Sequence, residues 1–250
     1  MAAQQTQVDV IANNLANVNT TGFKRSQVDF KDLLYTKMIQ SGMEVSAGYT
    51  SPGGLEVGNG VRVAATPRVQ SAGELENTGR KLDVAIQGDG FFQVTMPNGD
   101  IRYTRDGSLH ANASGQLVTS AGYSLQPAVT LPTDARDVEI GADGSVNSVA
   151  ADGTISVVGT LQLVKFPNPE GLSGEGNNLL AETQASGAPL TGTAGESGFG
   201  SLQSGFLEKS NVQMVTELVS LITAQRAYEI NSRAIKAGDD MLRTANEIAR

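Results

Sequence analysis

His110 is the only histidine of the chain, and there is no cysteine. A zinc site needs about three or four ligands drawn from His, Cys and carboxylates, so this composition argues against one. A Ser-His-Asp device would have to run through Ser108-Leu109-His110-Ala111, which carries no Gly-x-Ser-x-Gly elbow. His110 therefore reads as a strand or turn residue. Gly58-Asn59-Gly60 and Gly88-Asp89-Gly90 resemble fragments of phosphate loops. Neither continues as Gly-x-Gly-x-x-Gly or opens a helix after a strand, so both read as turns. The Asp-Gly sites lack the spaced carboxylates and distal Glu of a calcium loop. Glu74 and Glu76 would serve glycoside cleavage only as a pair facing each other across a cleft, and they read as a solvated face. Lys24-Arg25 and Arg102 with Arg105 are too few for a nucleic-acid patch, and a net charge of −8 repels phosphate backbones and anionic membranes. No catalytic, cofactor-binding or metal-ligating residue is assigned. No cofactor is expected, and the chain does not read as an enzyme.

The chain falls into three textures. From Met1 to about Gln40 it reads as helical. Val8, Ile11, Leu15 and Val18 share one helix face. Asn13, Asn14, Asn17 and Asn19 surround that stripe, although Asn prefers caps and turns; packed amide contacts and a frayed, solvated helix end fit the pattern equally. Thr20-Thr21-Gly22 ends the helix. A second short helix is expected over Val28 to Ile39, with Phe30, Leu33, Leu34 and Met38 on its apolar side.

From about Ser41 to Gly205 the composition shifts to Gly, Ser, Thr, Asn and Val in short alternating runs. Strands are expected within Gly60–Val69, Asp83–Val94, Ile101–Tyr103, Gln116–Val118, Val138–Ile140 and Thr160–Phe166. Asn98-Gly99, Asp106-Gly107, Asp143-Gly144 and Asp152-Gly153 supply tight-turn dipeptides between them. Ser41–Gly58 and Pro167–Ser201 show little periodicity and read as extended connections.

From Ser210 to Arg250 the chain is strongly helical, with Ser210-Asn211 as the expected N-cap. Its apolar stripe includes Val215, Val219, Ile222, Ile230, Ala234, Met241 and Ile248. About 38 residues would extend roughly 57 Å, a coiled-coil length. The fold class is thus α+β: paired N- and C-terminal helices forming a coiled coil, with an inserted β-rich middle domain of short antiparallel strands. The expected divisions are 1–40 with 206–250 as the helical domain, 41–72 with 167–205 as connections, and 73–166 as the β-rich middle. The simplest burial of the two stripes packs one helix on the other. The first helix is too short to cover the second, so the remaining apolar face calls for other copies of the chain or another partner. No run of about 18 apolar residues is present, so no transmembrane segment is expected. Met1-Ala2-Ala3-Gln4-Gln5 lacks the features of a cleaved signal peptide.

Three long blocks carry a resemblance. Ala12-Asn13-Asn14-Leu15-Ala16-Asn17-Val18-Asn19-Thr20-Thr21-Gly22-Phe23-Lys24, the stretch from Asp83 to Val94 with Tyr103-Thr104-Arg105-Asp106-Gly107, and the run from Leu218 through Glu229 to Leu242 are similar to the signatures of the flagellar rod and hook family. They occur in the family's order and span nearly the whole chain. Tyr49 to Val61, with Pro52, Gly53, Gly54 and Leu55, resembles the segment special to the distal-rod branch. The resemblance implies a structural subunit that self-assembles through its terminal helices into a rigid tube around an export channel. It implies a rod-stiffening role for the segment at Tyr49–Leu55. It also implies export by the flagellar type III apparatus, a place in the periplasm-spanning rod, and contacts with proximal rod, hook, and P and L rings. The assembly residues expected on this basis are Val8, Ile11, Leu15, Val18, Val215, Val219, Ile222, Ile230, Ala234, Met241 and Ile248. Family members usually begin with several more helical residues than precede Val8 here. A proximal rod or hook protein is the alternative within the family. An exported β-rich enzyme acting on the cell wall is the remote one.

Overall fold

The computed structural model describes residues 1–39, 44–46, 49–50, 53–132, 135–150 and 153–248, with backbone alone for 44–46 and 49–50. The described residues form two compact units. One takes in residues 1–13, 26–67 and 215 onward; the other takes in 14–25 and 68–214.

The second unit is built on an antiparallel nine-stranded sheet. Its central strand, Phe91–Thr95, pairs with Ile101–Thr104 on one side. On the other side it pairs with Ser124–Gln126 and, through Phe91 and Phe92, with Gln162–Lys165. Alternation sends successive side chains to opposite faces. Phe92 and Val94 enter the main core with Ile86, Leu109, Leu117, Leu125 and Leu163. Phe91 faces the other way, into a smaller cluster with Tyr103, Val164, Phe166 and Leu172. There the Tyr103 and Phe166 rings meet edge to face, 4.8 Å between centroids. Both faces of this strand are therefore covered, which is why Phe91-Phe92 reads as an unbroken apolar pair. Phe92→Ala removes a ring that is 1 % exposed and is expected to lower the unfolding free energy by about 3–5 kcal/mol, measured by urea denaturation. A separate three-stranded sheet follows in sequence: Ala135–Ile140, Ser145–Ala150 and Ile155–Thr160.

A strand is present in each expected span, but Asp83–Val94 holds two, Val84–Gln87 and Phe91–Thr95, and the strand expected at Val138–Ile140 begins at Ala135. Asn98-Gly99 and Asp143-Gly144 close hairpins as expected. Pro167–Ser201 is not simply a connection. It contributes Ser173–Gly176, Leu179–Ala181 and Leu190–Thr193 to the large sheet. Ser173–Gly176 pairs with Leu179–Ala181, which in turn pairs with Ile101–Thr104, and Leu190–Thr193 pairs with Gln162–Lys165, so partners outside the segment supply the order that its glycines and serines hide.

The first unit contains most of helix α1 (Ala2–Ala16) and of helix α2 (Met214–Ile248), which are in contact. Asn231 Nδ2 donates to Gln4 Oε1 at 2.7 Å. The expected second helix over Val28–Ile39 does not form. Asp29–Asp32 pairs with Val61–Ala65, and Thr36–Ile39 with Leu55–Val57, making an antiparallel ribbon. Short apolar runs satisfy both periods, and cross-strand partners such as Val63 opposite Phe30 decide for strand. Phe30, Leu33, Leu34 and Met38 are all exposed on it.

Candidate assembly surface and helix-root clamp

Helix α2 has 35 residues. Its buried residues are Glu217 and Ala224, seven apart, and the same spacing leads to Asn231, which bonds Gln4. The face turned inward is therefore polar and small. The apolar stripe lies elsewhere: Val215 is 75 % exposed, Met241 68 % and Ile248 82 %, and Val219, Ile222, Ile230 and Ala234 are exposed too. On α1, Ile11 is buried and Val8 and Leu15 are half-buried; Val18, just beyond the helix, is half-buried. The two stripes do not close on each other within one chain, and that of α2 is left open. Of the Tyr49–Leu55 segment, Leu55 lies in the strand facing Thr36–Ile39 and Gly53 and Gly54 are exposed. Tyr49 belongs to a short strand facing Glu44–Ser46, while Pro52 and the Tyr49 side chain lie outside the described residues.

The roots of both helices are fixed inside the second unit by one buried carboxylate. Glu208 ends the strand Phe206–Glu208, six residues before Met214, where α2 begins. Its Oε1 accepts from Lys24 Nζ at 2.5 Å and from the Gly73 N–H at 2.9 Å. Its Oε2 accepts from Arg105 Nε at 2.6 Å. Arg105 spends further donors on the carbonyls of Gly90, Ile86 and Gly88. Lys24 also donates to the Ser71 carbonyl at 2.7 Å. Both cations and the carboxylate are buried. Burial lowers the Lys24 pKa, more than its bond to Glu208 raises it. Burial pushes Glu208 up, but the Arg105 charge and the hydrogen bonds from Lys24, Arg105 and Gly73 together hold it below the usual carboxylate value.

The strap from Thr20 to Arg25 is laced down around this clamp. Gly22 donates its N–H to the Glu208 carbonyl at 2.8 Å. At φ +66°, a Cβ on Gly22 would stand 2.8 Å from the Arg105 carbonyl carbon. Thr21 Oγ1 donates to Asp106 Oδ1 at 2.8 Å. Asn211 Oδ1 accepts from the Arg25 N–H at 2.7 Å, and its Nδ2 donates to the Val69 carbonyl. Asn211 is thus a tie between segments, not the expected helix cap, and α2 begins at Met214. Asp106-Gly107 is likewise no hairpin turn: a Cβ on Gly107 would lie 1.7 Å from the Val84 carbonyl oxygen, so glycine is needed for close approach. Two of the sequence blocks meet here as structure, tied together by the segment that leads into the third. Thr20–Lys24, Arg105–Gly107 and Glu208–Asn211 hold one another.

Comparison with known proteins agrees with this arrangement. Residues 1–24 match the family described as flagella basal body rod protein. Residues 85–148 match the flagellar hook protein FlgE/F/G D1 domain, and 203–248 the flagellar basal body rod FlgEFG protein C-terminal region. Flagellar basal-body rod protein FlgG of Buchnera aphidicola subsp. Schizaphis graminum is 47 % identical over 247 residues, 98 % of this chain and 95 % of the relative. This chain belongs to the FlgG family of flagellar basal-body rod proteins. The Caulobacter vibrioides FlgG is 44 % identical over 251 residues, 99 % of this chain and 95 % of that one. Flagellar hook-basal body complex protein FlhP of Bacillus subtilis is 33 % identical over 257 residues, 98 % and 94 %. FlgG proteins are structural, and this chain is a rod structural protein and not an enzyme. Membership implies assembly with flagellar axial components.

The residues once weighed for chemistry have structural places. His110 is exposed on a strand edge, its Nδ1 3.2 Å from Arg80 Nη2. Glu76 pairs with Lys209 on the surface. Lys24 and Arg105, too few for a nucleic-acid patch, are the clamp's buried cations. Glu208 escaped the sequence reading. The available signal was an acid at the end of a strand-like Gly205-Phe206-Leu207 run. Among the described residues, no cluster of His and carboxylates could hold a metal, and no helix is long and apolar enough to cross a membrane.

Proposed function

We propose that this protein polymerises through its terminal helices into the rigid tube of the distal rod, around the export channel. The observation that carries this reading is the open apolar stripe of α2, running from Val215 to Ile248. Burying a large aliphatic side chain is favourable by about 1.5–3 kcal/mol, so helices of neighbouring copies that cover this stripe stabilise a tube without chemistry. Val8, Leu15 and Val18 supply the complementary side from α1 and its exit. The P and L rings, the proximal rod, the hook and the type III export apparatus are the partners, and the rod's path across the periplasm is the location. Negative-stain electron microscopy of concentrated protein tests the reading: straight tubes support it, and lasting monomers, even with preassembled rod fragments as template, count against it.

The Tyr49–Leu55 segment stiffens the rod in this reading, and separates it from a proximal rod or hook role. Deleting residues 43–57 is expected to leave tubes that bend, seen as a shorter persistence length in micrographs. Unchanged, straight rods from that deletion would point to one of the other axial positions.

A further inference from the structure

Beside the helix-root clamp lies a cavity of about 290 Å³ within the second unit. Lys24 and Arg105 line it in their buried part and Lys165 at its more exposed edge, with Asp89 beside Lys165. Phe91, Phe166 and Pro167 give it apolar walls. Charge is not balanced here. Lys24 and Arg105 share the single carboxylate of Glu208, and Lys165 is matched by Asp89 at 3.1 Å. One buried positive charge is left over. Donors are left over too. Lys24 Nζ makes two hydrogen bonds out of three possible among the described residues, to Ser71 and Glu208. Arg105 makes four out of five, to Glu208, Gly90, Ile86 and Gly88. A buried cation with spare N–H groups beside an open space is a site for an oxyanion, because leaving it uncompensated in low dielectric is costly.

We propose that this cavity takes a carboxylate side chain from a second copy of the chain, an inference that rests on the self-assembly reading above. The apolar walls suit the methylene stem of an aspartate or glutamate and the buried cations suit its head. The chain carries 26 acidic residues against 18 basic ones, so a neighbouring copy offers the required charge. A surface acid that enters the site exchanges water for two charge-assisted donors, which fixes register between copies more than it adds raw affinity.

The test uses the whole protein and leaves the clamp residues unchanged. Ala72 is exposed at the cavity's edge, and Ala72→Trp plugs it. Sodium propionate serves as probe, against sodium chloride at equal ionic strength. At ten times its dissociation constant propionate is expected to raise the wild-type Tm by about 3 °C, and to leave the Tm of A72W unchanged. A72W is expected to match the wild-type Tm in chloride yet to give no tubes, and to fail to restore swimming to cells lacking the protein. If propionate has no effect on the wild type, the site is overturned. If A72W assembles normally, the second copy is overturned as occupant, and a propionate effect then means a free anion only. Failure of the wild type itself to assemble counts against the rod reading and with it against the occupant, while the propionate measurement still reports on the site.

Discussion

Glu208→Ala is expected to lower the unfolding free energy of the β-rich unit by about 3–5 kcal/mol, because it strands two buried cations at once. Urea denaturation at neutral pH measures it. Lys24 and Arg105 are each 7 % exposed at the side chain, so water in the adjoining cavity replaces only part of what they lose. The same variant has a pH signature. Glu208 is depressed in the folded state relative to its ordinary 4.5. Its contribution is therefore complete above that value and is lost as pH falls through the lower, folded one. The wild type should lose stability in acid in that window, and the difference between wild type and Glu208→Ala should shrink there. Lys24 works in the opposite range. Its folded pKa lies below 10.5, so keeping it charged costs stability, and that cost is relieved as pH rises through the window beneath 10.5. A Glu208→Ala protein as stable as wild type at neutral pH would mean that the clamp contributes nothing net.

Ile222→Asp is expected to abolish assembly while the unfolding midpoint of the β-rich unit stays within about 0.5 kcal/mol of wild type. Ile222 is 50 % exposed in the single chain, so a carboxylate there remains hydrated in the monomer. In a tube the same carboxylate would be withdrawn from water beside the apolar residues of a neighbour, at a penalty of several kcal/mol repeated in every subunit. Electron microscopy together with the motility of a complemented strain reads the first half of the prediction, and urea denaturation the second. Tubes forming normally from Ile222→Asp would place the interface on another face of α2.

Periodicity alone was enough to locate both terminal helices and part of the middle's strands, but it passed over others, among them Ser145–Ala150 and Ile155–Thr160. It failed at Val28–Ile39, where the apolar residues satisfy a helix as well as a strand and the deciding partner, Val61–Ala65, is some thirty residues away. It failed again at Ser173–Gly176, whose residues are all exposed and bring no alternation of their own. The open stripe of α2 could be seen in the spacing of Val215, Val219 and Ile222. The buried positions of α2 could not, since Glu217 and Ala224, like the Asn231 that bonds Gln4, look like the solvent side of an amphipathic helix. The clamp was hidden for a related reason. Ion pairs carry no periodic signal, and Lys24, Arg105 and Glu208 are brought together from positions 81 and 103 residues apart in the chain.

The way the chain is threaded has a consequence for how the protein is made. Gln4 and Asn231 are separated by 227 residues, and the unit that contains them uses both the first and the last stretches of the polypeptide. The β-rich unit, by contrast, has all its strands by Glu208. Emerging from a ribosome or any other narrow passage N-terminus first, the chain presents α1 long before its partner exists. The β-rich unit is ready to close while α2 is still inside. Pairing of the two helices is then the last event in time, and it comes at the moment when the stripe of α2 first meets whatever surface lies at the exit. If the stripe of α2 is the joining surface proposed above, a subunit threaded this way exposes it only at the point of addition, instead of carrying it open through the whole journey.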